Sequence, residues 1–118
     1  MAIRNVAVQP RLVSERCAKF TWTGLLNGDS GEPIDWTIFA DRSVQVIGTL
    51  GAGGTVLLEG SNNGGTTWAT LNDAGGSPLS MTSLKIEQVL EMTEKVRPRV
   101  SAGDGTTNLT VIIVARKA

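Results

Sequence analysis

The chain has 118 residues, 41% hydrophobic and 19% charged, which suits one globular domain and excludes a disordered segment. Eleven basic residues balance eleven acidic ones, so the broad positive field of a general nucleic-acid binder is missing and no net charge opposes self-association. With no His, no Tyr and one Cys, the chain lacks His-based triads, most zinc sites, a tyrosine nucleophile and any intramolecular disulfide.

Residues 1–13 carry Arg4 and Arg11 and no apolar run of signal-peptide length. Val6, Val8, Leu12 and Val13 are interrupted by Pro10, which cannot donate to a ladder, so the segment reads as an N-terminal arm or edge strand. Residues 14–118 read as the folded domain. Cys17, with no imidazole to activate it, is expected to be a small buried hydrophobe in a reducing compartment. Phe20 and Trp22 alternate with Lys19, Thr21 and Thr23, the pattern of a half-buried strand.

Asn27 to Pro33 has loop composition, and its resemblance to a calcium loop lacks the alternating oxygen ligands. Ile34 to Phe39 reads as a strand with Ile34, Trp36 and Ile38 on one face, and Val44 to Leu50 as the next. Gly51 to Gly54 is a turn without the Lys-Ser/Thr of a phosphate loop. Thr55 to Gly60 and Trp68 to Leu71 read as strands flanking a polar turn, and Leu79 and Met81 share the face of a further short strand. Lys85 to Lys95 has spacing compatible with either a helix or a short strand and loop.

At the C-terminal end, Val96, Pro98, Val100 and Ala102 alternate with Arg97, Arg99 and Ser101. After the turn at Gly103 to Thr107, Leu109, Val111, Ile113 and Ala115 alternate with Thr110, Ile112 and Val114. The pair is expected to form a long hairpin whose second strand, apolar on both faces, is central. Pro98 would push its own strand toward an edge or a bulge. About eight short strands with no long repeat give an all-β class: a single-domain antiparallel β-sandwich or jelly roll.

Of the carboxylates, Asp29, Glu32, Asp35, Asp41, Glu59, Asp73 and Asp104 are candidates for a catalytic pair. Most fall in Gly-rich turns where Asp bonds local backbone, and no activity or cofactor is expected. Arg97 and Arg99 place two guanidinium groups on one strand face, suited to carboxylates of a partner protein.

Ser61, Asn63, Gly65, Thr67 and Trp68 fit the Ser-x-Asp-x-Gly-x-Thr-Trp "Asp-box" turn, with Asn in place of Asp. One box in a chain this short reads as a structural turn. Joined to the segment Val96 to Thr106 and the apolar last strand, it resembles small β-sandwich structural proteins of tailed bacteriophages, above all head decoration (cement) proteins with a jelly-roll fold. The resemblance covers about residues 44–116. It implies a capsid-surface virion protein, made in the host cytoplasm, that binds the major capsid protein and itself as a dimer or trimer, without membrane or specific nucleic-acid partners. Arg4, Val8, Arg11, Leu12, Arg97 and Arg99 are the partner-binding candidates. A tail, baseplate or fibre module and a carbohydrate-binding module, the latter through an exposed Trp, are the alternatives.

Overall fold

The computed structural model describes all 118 residues and contains strands, turns and loops, with no helix. Twelve strand segments run in order: β1 (Ile3–Arg4), β2 (Val6–Gln9), β3 (Cys17–Leu25), β4 (Ser30–Gly31), β5 (Ile34–Asp35), β6 (Asp41–Thr49), β7 (Thr55–Ser61), β8 (Ala69–Thr70), β9 (Ser80–Met81), β10 (Ile86–Gln88), β11 (Lys95–Ala102) and β12 (Asn108–Arg116). They form two sheets. The seven-stranded sheet has the order β1-β4-β11-β7-β8, with β5 also on β11 and β9 on β7. The five-stranded sheet has the order β10-β6-β12-β3-β2.

Period-two alternation builds the core between them. Ala18, Phe20 and Trp22 of β3, Val44 and Val46 of β6, and Val111, Ile113 and Ala115 of β12 point inward from one sheet. Val56 and Leu58 of β7 and Val96 and Val100 of β11 answer from the other. Trp22 and Leu25 are three residues apart yet both fully buried. A bulge in the β3–β12 pairing, with Gly24 at φ 65°, absorbs the extra residue and resets the alternation.

Three sequence expectations change, and one open alternative is decided. First, β11 and β12 do not form a hairpin: β11 pairs with β7, β4 and β5, and β12 pairs with β6 and β3. The turn at residues 103–107 carries the chain from one sheet to the other, a route that alternation alone does not distinguish from a hairpin. β12 is nevertheless central in its sheet. Second, Pro98 sits in an inner strand. Val100 exchanges hydrogen bonds with Gly28 and Asp29, so by alternation the side of Pro98 that lacks a donor faces the same neighbour. There the neighbour is split into β4 and β5 around Glu32-Pro33, and no ladder bond is required.

Third, the strand at Ile34 stops after Asp35. Phe39 N–H bonds Trp36 C=O, and the resulting turn buries Trp36 and Phe39 and leaves Ile38 62% exposed. Of the two alternatives for Lys85 to Lys95, the chain takes strand and loop, because Ile86–Gln88 finds a ladder on β6 and Val89 enters the core. In addition, Cys17 is half-buried, not core: it lies opposite Arg116 on the outward face of β3.

Candidate interaction surfaces

The N-terminal segment is stitched to both sheets. β1 lies parallel to β4, and β2 is the edge strand beside β3. Ala2 N–H and Arg4 Nε donate to the Asp29 carboxylate at 3.0 and 2.8 Å, and Val6 N–H donates to Glu32 at 2.9 Å. Asp29 is buried, which by itself raises its pKa. The donors Leu26 N–H, Arg4 and Ala2 N–H outweigh this and hold the carboxyl below the usual range. Beyond these anchors Ile3, Val8, Arg11 and Val13 are exposed, and Leu12 is half-buried with its N–H on Cys17 C=O.

On the seven-stranded sheet, Arg97 and Arg99 share the carboxylate of Glu59, each through Nε at 3.1 Å. The two arginines flank a buried acid supplied by β7, which satisfies much of the carboxylate recognition they offer. Of the six partner candidates, Arg4, Arg97 and Arg99 therefore lie on the seven-stranded sheet with internal carboxylates, whereas Val8, Arg11 and Leu12 lie along the edge of the five-stranded sheet.

Ser61, Asn63 and Gly65 close the turn after β7. Ser61 Oγ donates to Asn63 Oδ1 at 2.8 Å and accepts from Gly65 N–H at 3.0 Å, and Asn63 Oδ1 accepts from Thr67 N–H at 2.9 Å. Gly64 and Gly65 hold φ at 74° and 90°, where a side chain would be strained. Trp68 lies beside Gly65, half-buried, with the Arg97 guanidinium 4.3 Å from its ring centroid. Trp22 and Trp36 are fully buried and donate to Glu32 C=O and Thr93 Oγ1. A groove of about 490 Å³ beside Trp68 is lined by Asn62, Asn63, Thr67, Thr70 and Glu91.

Comparison with family models, with curated proteins and with solved structures returned no match.

The remaining carboxylates serve local structure. Asp35 pairs with Lys95 at 2.8 Å, and Asp41 pairs with Arg116. Asp73 accepts from Gly75 and Ser77 N–H within its own turn. Asp104 accepts from the Thr106 hydroxyl, Ala52 N–H and Thr106 N–H, which lower its pKa to about 2. Asp104 thereby ties the crossover loop to the β6–β7 turn, at 2.9 Å from Ala52 N–H.

Two features lay outside the sequence reading. Arg42 is buried against Trp36, 4.6 Å from the ring centroid, with no protein acceptor for Nε or Nη1. Burial lowers its pKa, opposed by Asp41 and Glu91. The second feature is the outward face of the five-stranded sheet, where Ile47, Ile86 and Val114 are 40%, 60% and 38% exposed. Of these, only Val114 has a signal in the sequence, the apolar residues on both faces of β12, a pattern that also marks a central strand.

Proposed function

We propose that this protein is a virion structural protein of a tailed bacteriophage, a head decoration protein that binds the major capsid protein and stabilises the shell. It works without a catalytic step or cofactor, on the capsid surface, after synthesis in the host cytoplasm. The reading includes a finer fold, a jelly roll of eight principal strands.

Strand order is the observation that carries it. With β4 and β5 counted as one interrupted strand, and β8 and β9 as another, eight strands run from β3 to β12, and the chain changes sheet at every step but one. Two Greek keys wrapped over two sheets give such alternation, and the architecture recurs in viral capsid and lectin domains.

The N-terminal edge is the shell contact in this reading. β2 presents one side of its backbone to a neighbour, and Ile3, Val8, Arg11 and Val13 supply apolar and charged contacts around it. An extended capsid segment added to that edge gains backbone hydrogen bonds and side-chain pockets. Binding to assembled shell in preference to free subunits stabilises the shell by linkage.

Cryo-electron microscopy of the virion at side-chain resolution tests the reading. Density for this chain on the head surface supports it, and density at the tail, baseplate or fibres transfers the function to a module of those parts. A carbohydrate-binding module is favoured by one observation, the half-buried Trp68 beside a groove of polar side chains. Arg97 already occupies one face of that ring, which leaves less of it for stacking on a sugar.

A further inference from the structure

The sequence holds two Asn-Gly pairs, Asn27-Gly28 and Asn63-Gly64. In such a pair the glycine amide nitrogen, with no Cβ beside it, is free to attack the asparagine side-chain carbonyl carbon. The attack is helped by donors on the oxygen where negative charge develops and by a base on the amide proton. The fold supplies both at one pair and neither at the other.

At Asn63, Ser61 Oγ and Thr67 N–H both donate to Oδ1, at 2.8 and 2.9 Å. This is the arrangement of an oxyanion hole, aimed at the oxygen of the carbon under attack. Gly64 N–H donates to Glu94 Oε1 at 2.7 Å, so a carboxylate already holds the proton that has to leave. Glu94 is kept there by its own N–H, which donates to Asn62 Oδ1 at 2.9 Å. Asn63 and Glu94 are exposed, and a Cβ built on Gly64 would meet nothing within 4 Å, so the site is open to water. Asn27 is held the other way round. Its Nδ2 donates to Gly103 C=O at 3.3 Å, and Gly28 N–H bonds a neutral acceptor, Val100 C=O, at 3.2 Å.

We propose that Asn63-Gly64 is a self-modification site, at which the turn converts Asn63 to aspartate. Glu94 takes the Gly64 amide proton as that nitrogen bonds to Asn63 Cγ, and Ser61 and Thr67 stabilise the oxyanion. The proton passes to Nδ2, the Cγ–Nδ2 bond breaks, and ammonia leaves a cyclic imide behind. Water then adds to Cγ, where the same two donors act. The bond from Cγ to the Gly64 nitrogen breaks, which gives a carboxyl group and restores the Gly64 N–H. The sum is asparagine and water giving aspartate and ammonia, with no oxidant, metal or second protein. The product suits the turn. A carboxylate at this position accepts the same two bonds in charge-assisted form, and it is the residue that the Ser-x-Asp-x-Gly-x-Thr-Trp pattern carries. The inference is independent of what the protein decorates.

The test incubates the full chain in neutral buffer, with and without urea, and follows Asn27 and Asn63 separately by peptide mapping with mass spectrometry. In the folded protein Asn63 is expected to convert faster than Asn27. It is also expected to convert faster than it does in urea, where Ser61, Thr67 and Glu94 are no longer held on the reacting atoms. Glu94→Gln keeps an acceptor for Gly64 N–H but removes the base. It is expected to slow conversion of Asn63 by on the order of 10-fold or more and to leave Asn27 unchanged. Circular dichroism checks that the variant is folded. Native Asn63 that converts no faster than Asn27, or no faster than in urea, overturns the proposal, because the bonds then hold the amide away from the attacking nitrogen. A folded Glu94→Gln variant that converts at the wild-type rate overturns it as well.

Discussion

The ring of Pro98 packs against the bare Cα of Gly31, so closely that a Cβ at Gly31 would lie 2.6 Å from Pro98 Cδ and 2.6 Å from Trp22 Cδ1. This contact explains how a proline occupies an inner strand. The neighbouring segment both interrupts its ladder and omits a side chain where the pyrrolidine ring needs space. Gly31→Ala is therefore expected to destabilise the fold by roughly 1–3 kcal/mol, the cost of forcing extra volume into a packed site. Urea unfolding of the pair measures it. A midpoint unchanged from wild type would mean that the two strands separate at little cost.

Glu59 is the acceptor for both Arg97 and Arg99, and its side chain is 7% exposed while theirs are 22% and 36% exposed. Glu59→Ala is expected to cost roughly 1.5–3 kcal/mol, the range for hydrogen bonds to charged groups. Replacing both arginines leaves a buried acid unpaired and should cost at least as much. The binding of an Arg97→Ala, Arg99→Ala variant must therefore be read beside its unfolding curve. Equal stability of Glu59→Ala and wild type would show the triad to be solvated and the arginines free for a partner.

Sequence patterns were most informative where one physical rule acted alone. Alternation gave the inward faces of β3, β11 and β12, because each of these strands has one buried face. It could not assign β11 and β12 to different sheets, since an arch between sheets and a hairpin within one sheet require the same alternation. Ile34 to Phe39 misled because Trp36 and Phe39 are buried from a turn, where apolar spacing has no strand meaning. The charged candidates Arg97 and Arg99 were visible, but their acceptor Glu59 lies 38 and 40 residues away, a distance that no local pattern spans.

Trp68 is half-buried, whereas Trp22 and Trp36 are fully enclosed. Trp68→Ala is expected to cost about 1–3 kcal/mol, including the cation–π contact with Arg97, against about 3–5 kcal/mol for an enclosed Trp. Thermal unfolding of Trp68→Ala and Trp22→Ala side by side gives the comparison. If Trp68→Ala leaves stability unchanged but removes binding on a glycan array, the carbohydrate reading replaces the decoration reading.

The Asp104 carboxyl is held at about 2 by the Thr106 hydroxyl and the N–H groups of Ala52 and Thr106, below the ordinary aspartate value of about 3.9. A depressed folded-state pKa stabilises the protein above the unfolded value, and that contribution is lost as pH falls toward the folded one. Unfolding midpoints are thus expected to fall between about pH 4 and pH 2, and Asp104→Asn should flatten its share of that fall. An identical acid profile in Asp104→Asn would contradict the assigned hydrogen bonds.

Co-sedimentation with undecorated heads tests most directly whether this chain cements a capsid. Purified protein is mixed with heads assembled from the major capsid protein of the same virus, the heads are pelleted, and the bound fraction is measured. Deleting residues 1–13 would also remove the bonds to Asp29 and Glu32, so Val8→Glu with Val13→Glu is the cleaner variant: both positions are exposed, at 52% and 91%. The account predicts saturable binding of the intact protein and strongly reduced binding of the folded double variant. Intact protein that remains in the supernatant at every concentration would contradict the account.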